Sequence, residues 1–185
     1  MTKKSPSKNK KEVIAQIQSF VDNDVPKQMI LDKLKKEYFD EQTLSKFIAS
    51  VTNRQSKAKY KYLNNILLGL LIFTALLKIL LGISLVLKAS ILLFPLVILL
   101  PILNLWFAYE ISHYRGYIYR IVGLFGVIGI LRMLTNNDSD TGWMYFDLAI
   151  GATITVLSLY LGKEMYPNYG LFGPKKDDKG NVLLE

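Results

Sequence analysis

Cysteine is absent from this 185-residue chain, which excludes a disulfide framework, a thiolate metal site and a thiol nucleophile. Histidine occurs once, at His113, so one chain cannot build a multi-histidine metal site. An early apolar stretch is also missing. About sixty polar and amphipathic residues precede the first long apolar run, whereas a secretory signal places its apolar region soon after a short charged start. The first long run is therefore expected to stay as a membrane anchor. Charge is scarce where apolar mass is dense. Residues 62–162 hold long apolar runs with few charges, while residues 1–61 carry 14 Lys/Arg and 7 Asp/Glu. The chain average of 51% apolar residues, little above the roughly 45–50% of soluble proteins, hides that split. The split excludes a single soluble globule, and the apolar mass excludes a disordered chain. Arginine is rare too: lysine outnumbers it by 19 to 4, beside many Ile, Asn and Tyr, a composition that hints at an AT-rich bacterial genome.

What is present divides the chain into segments. Residues 1–9 (MTKKSPSKN) are basic and aperiodic and read as a flexible tail. In 10–52 the spacing of Val13, Ile14, Ile17, Phe20 and Val21 gives one amphipathic helix. Asp24-Val25-Pro26 reads as the start of a second, with Asp24 as its cap and Pro26 in its first turn. Met29, Ile30 and Leu34 form its apolar stripe, and Asp40 caps a third helix whose face is Leu44, Phe47, Ile48 and Val51. Tyr38 and Phe39 are placed to plug the middle. The order of these helices, with the Asp24-Val25-Pro26 turn, resembles the ubiquitin-associated-type three-helix modules and the short repeats found beside membrane helices in bacterial proteins. Such modules usually carry Gly in the first loop, where Asn23-Asp24 stands here. The resemblance implies a small cytoplasmic module that binds a protein partner.

Residues 53–61 form a basic juxtamembrane linker with Arg54, Lys57, Lys59 and Lys61. Each cation near an anionic headgroup is worth roughly 1 kcal/mol, and the simplest role for the stretch is to set topology. Four apolar segments follow within 62–162, at about 63–87, 91–112, 117–134 and 143–162. A spanning helix needs about 20 residues. The third segment is the short one, since only Ile121–Leu131 separates Arg120 from Arg132, roughly 18 Å along a helix axis. Both arginines reach the interfaces by snorkelling. Pro95 and Pro101 are expected to bend the second segment. Residues 163–185 form a cytoplasmic tail, an ordered stub and then a loose end.

Loop charge sets the orientation. With the N-terminus inside, 14 Lys/Arg of the N-region, 2 in the 113–120 loop and 4 in the tail are cytoplasmic, and Lys88 alone is outside. The 135–142 loop (TNNDSDTG) has two Asp and no base. Tyr60, Tyr62, Tyr109, Tyr114, Tyr117, Tyr119, Tyr160, Tyr166 and Tyr169 fall at the inner boundary, where an interfacial aromatic belt is expected, and Trp143 and Tyr145 mark the outer one. The expected fold is therefore all-α: an integral four-helix bundle of a bacterial cytoplasmic (inner) membrane, both termini cytoplasmic, preceded by a three-helix module.

Intramembrane charges are costly and usually have a reason. Lys78, Arg132 and Asp147 are the candidate cluster, at similar depth in the outer half. They form either an ion-binding layer or a structural ion pair, with Arg132 and Asp147 as the expected partners. Gly123, Gly126 and Gly129 recur every three residues, and Gly151 is placed to face them, a close-packing signal between membrane helices. Glu110 and His113 stand at i, i+3. A di-iron bundle needs two such motifs and further carboxylates, so no metal, cofactor or catalytic residue is assigned. No Ser-His-Asp, HExxH or Walker pattern occurs, and no enzymatic activity is expected. Partners are the bilayer and a protein bound through 10–52. Homo-oligomerisation stays open, and nucleic acid is not expected. The first functional expectation is a small multi-pass scaffold or regulator. The alternative is a transporter or channel component using the Lys78, Arg132 and Asp147 layer.

Overall fold

A computed structural model describes residues 10–36, 40–88, 94–135, 141–170, 173–178 and 180–184. The 1–9 tail, the Tyr38-Phe39 plug, most of the acidic 135–142 loop, and the side chains of Lys88 and Trp143 lie outside the described residues. Seven helices account for nearly all regular structure there: α1 Lys10–Asp22, α2 Lys27–Leu34, α3 Glu41–Ala49, α4 Arg54–Lys88, α5 Phe94–Ser112, α6 Gly116–Thr135 and α7 Thr141–Met165. A two-residue hairpin, β1 Tyr169–Gly170 with β2 Gly173–Pro174, follows.

Helices α1–α3 enclose a core of their own. Val13, Ile17 and Val21 from α1 meet Ile30, Leu31 and Leu34 from α2 and Leu44 and Ile48 from α3. Asp40 caps α3 as its sequence position implies, accepting from the backbone N–H groups of Gln42 and Thr43 at 3.1 and 3.2 Å. Asp24 does not cap α2. Pro26 holds that position without a side-chain bond, and Asp24 instead ends α1 with a left-handed φ of 57°. The Asp24 N–H donates to the Val21 carbonyl and the Val25 N–H to the Phe20 carbonyl, both at 3.1 Å, the paired bonds of a Schellman stop. Asp24 thus occupies the backbone conformation that Gly adopts most readily.

The basic juxtamembrane stretch 53–61 is helical from Arg54 onward. Asn53 accepts from the Ser56 N–H at 2.8 Å, and from Arg54 the helix runs unbroken for 35 residues, about 52 Å. Nothing between Arg54 and Lys88 carries a proline to stop it. Three helices are long and apolar enough to cross a membrane: α4, α6 and α7. Helix α6, which carries Arg120 and Arg132 within it, qualifies with 20 residues, and α5 runs for 19, Phe94–Ser112. Pro95 falls in the first turn of α5, where a missing N–H has no partner to lose, so Pro101 alone interrupts the helix.

Around the bundle, α4 packs on both α5 and α7, and α6 packs on α7. Its core lies at the end nearest α1–α3 and stops at Leu71, Phe107, Val122 and Ile154. Further out, the helices turn large apolar side chains to the surroundings, including Leu80, Leu99 and Leu131.

Candidate functional site

Two polar layers interrupt the apolar bundle. The outer one surrounds a cavity of about 520 Å³ between α4, α5, α6 and α7. Leu71, Phe107, Val122 and Ile154, the last residues of the bundle core, form its floor. Midway up, the Asn104 amide donates to the Thr74 hydroxyl at 2.9 Å. Lys78, Arg132 and Asp147 stand at the outer end of the wall. Lys78 is half-buried, Arg132 and Asp147 are exposed, and Lys78 feels the charge of Asp147.

The expected Arg132–Asp147 pair is not formed: among the described residues no salt bridge joins them. Both side chains are exposed at the rim of the cavity, where a long Arg side chain can reach the surroundings and needs no partner. A side chain at Gly123 would strike Leu159, and one at Gly126 would strike Thr155.

The four glycines divide by role. Gly123 and Gly126 let α7 approach α6, as their spacing implies. Gly129 and Gly151 line the cavity, and an added Cβ would meet no atom within 4 Å at either. They supply empty space and not a helix contact.

The inner polar layer went largely unread in the sequence. Glu110 is buried, and both its carboxylate oxygens accept from Arg115 Nη1 at 2.6 Å, while the Tyr117 hydroxyl donates to one of them. His113 points elsewhere, is exposed and stacks on Tyr109 at 4.4 Å, so the i, i+3 pair does not converge. Among the described residues no three His, Cys, Asp or Glu side chains gather to hold a metal ion. Tyr60, Tyr119 and Tyr166 are buried, contrary to the expected lipid-facing belt. Their hydroxyls donate to Glu164 Oε2 at 2.9 Å, Asn64 Oδ1 at 2.6 Å and the Tyr114 carbonyl. Burial pushes the Tyr166 hydroxyl well above its ordinary range, which keeps it a donor. Tyr62, Tyr109 and Tyr160 remain exposed, as a belt requires, and Tyr114, Tyr117 and Tyr169 are half-buried. Arg120 reaches the Gly162 carbonyl at 3.2 Å, while its Nε and the Ser158 hydroxyl are buried without a partner among the described residues.

This inner layer abuts α1–α3. The Gly116 N–H donates to the Ser50 carbonyl at 3.2 Å, and the Thr52 hydroxyl to the Met165 carbonyl at 3.3 Å. The tail returns to the same place: Lys176 bridges to Val182, and Leu184 packs on the α1–α3 core. Comparison with protein families, curated proteins and solved structures finds no match to this chain.

Proposed function

We propose that this chain is a four-span protein of a bacterial cytoplasmic membrane, with both termini inside, and that it acts as an interaction scaffold through its α1–α3 module. The carrying observation is the attachment of that module. Its apolar residues are spent on a core of its own, and it is joined to the bundle by a capped, continuous helix and by the Ser50–Gly116 and Thr52–Met165 bonds. A module held this way presents its polar face at a fixed height above the bilayer. Among the described residues its large apolar exposure is confined to Met29, at 51%. The loop-charge asymmetry and the apolar surface of the outer bundle support the membrane placement. Helix α5 crosses as the shortest span, with its 19 residues covering about 28 Å.

Photoreactive residues at Met29, Lys33 and Lys46 test this role in living cells. The scaffold reading predicts a discrete protein adduct of one mass from the module and none from Leu80 or Leu99. Adducts with lipid alone at all module positions contradict it. A second reading, a transporter or channel component, is favoured by the cavity that brings Lys78, Arg132 and Asp147 together. Flux into liposomes that disappears in Asp147→Asn supports that reading, and its absence from the wild-type chain opposes it.

A further inference from the structure

The outer cavity has a polarity gradient along its depth. Its floor is wholly apolar, with Leu71, Phe107, Val122 and Ile154; its middle carries one neutral hydrogen-bonded pair; its rim carries two cations and one acid. About 520 Å³ lies within the range of ligand pockets, roughly 300–1,000 Å³. The space is built in by the sequence, because Gly129 and Gly151 leave open room where any other residue would place a side chain. Arg132 and Asp147 are exposed, so the rim opens to the surroundings.

We propose that this cavity binds an acyl chain of an anionic membrane lipid, with the chain on the floor and the headgroup held by Lys78 and Arg132. A small polar solute would leave the apolar floor unsatisfied. A cation would meet two positive charges against a single carboxylate. An apolar chain with a negative head matches both ends. Asp147 is placed to draw the Lys78 ammonium to the rim and to favour a headgroup that also donates hydrogen bonds. The inference rests on the membrane placement but on neither proposed role.

A built-in control lies on the same molecule. The groove between α4 and α5, about 470 Å³, is lined by apolar residues such as Ile79, Ile98 and Leu105 and carries no charge. Lipid that merely surrounds the protein fills it regardless of headgroup.

The test uses the full chain in nanodiscs with phosphatidylglycerol or phosphatidylcholine bearing the same diazirine-labelled acyl chain, read by peptide mass spectrometry. The proposal predicts adducts at Leu103, Ile130 and Ile150 at least tenfold more abundant from phosphatidylglycerol, with equal labelling of Ile98 and Leu105 by both lipids. Gly151→Leu fills open space, so it removes the cavity adducts and leaves the control groove and the melting temperature unchanged or raised. Gly129→Val serves as the second filling variant. Lys78→Met with Arg132→Gln reduces the phosphatidylglycerol excess to the phosphatidylcholine level. Equal labelling of the cavity by both lipids, or adducts that survive both filling variants, overturns the proposal. If the control groove is unlabelled as well, the membrane placement itself fails.

Discussion

At the residue scale, two non-glycine residues end helices in the left-handed region: Asp24 with φ 57° and Tyr114 with φ 53°. Both stops use the same pair of bonds. At the end of α5 the Tyr114 N–H donates to the Ile111 carbonyl and the Arg115 N–H to the Glu110 carbonyl. A Schellman stop usually adds an apolar contact between the flanking positions. After α1 the flanking Val25 and Phe20 both pack on the module core. After α5 the Arg115–Glu110 ion pair takes its place. The buried Glu110 carboxylate at the bundle's inner end is thus tied to the helix stop through Arg115. Asp24→Gly removes the left-handed penalty while keeping the bonds, so it is expected to stabilise the module by about 0.5–1 kcal/mol, less whatever freedom Gly adds to the unfolded chain. Thermal unfolding followed by circular dichroism checks this, and a lower melting temperature would mean that the Asp24 side chain does something beyond adopting the turn.

Residue-level legibility was uneven for a physical reason. Caps and turns depend on neighbours in sequence, so Asp40 was readable. Whether a tyrosine anchors in headgroups or donates inside a core depends on which way its helix is rotated. Tyr60 and Tyr62 are two residues apart, yet one is buried and the other is 76% exposed. A sharper signal was available for Thr74 and Asn104. Thr74 stands 13 residues before Leu87 and Asn104 stands 13 after Ile91, the ends of the first two apolar segments, as partners in an antiparallel hairpin do.

At the element scale, shared depth is not enough to pair charges. Depth alone brought Lys78, Arg132 and Asp147 to one layer, and the structure sets them on one cavity wall. No salt bridge joins Arg132 and Asp147 there, and both side chains are exposed. A single sequence does not show this, because helix rise is legible while the rotation and offset of neighbouring helices come from packing such as that at Gly123 and Gly126. Double-mutant cycles in detergent separate the two possibilities. Arg132→Gln with Asp147→Asn is expected to be additive within about 0.5 kcal/mol. Lys78→Met with Asp147→Asn is expected to show coupling of about 0.5–1 kcal/mol, since Asp147 acts on Lys78. Strong coupling in the first cycle and none in the second would reverse the assignment.

At the scale of the whole molecule, the α1–α3 module and the bundle keep separate apolar cores, joined by the Ser50–Gly116 and Thr52–Met165 bonds, with Leu184 of the returning tail packed on the module. The chain's two halves were legible from composition, and the three-helix order from apolar spacing. Their junction was not, because it is made of the Gly116–Ser50 backbone bond, the Thr52 hydroxyl bond to Met165, the Asn53 cap and the Lys57–Asp22 ion pair, and nothing in side-chain hydropathy reports those. Ile48 is fully buried in the module core. Ile48→Asp places an uncompensated charge there at a cost of about 3–5 kcal/mol, which a core this small cannot absorb. Limited trypsin digestion should then cut at Lys27–Lys46 while α4–α7 stays protected inside detergent. Loss of the whole chain to digestion would mean that the bundle needs the module to fold.

The central claim, four crossings with both termini inside, has a direct measurement made simple by the absence of native cysteine. Single cysteines at Ser5, Ser112, Ser139 and Asn181 are exposed to a membrane-impermeant thiol reagent in intact cells. The account predicts that only position 139 reacts, and that all four react once the membrane is opened. If α5, the shortest of the four, fails to cross, positions 112 and 181 react and position 139 is protected, which contradicts the account.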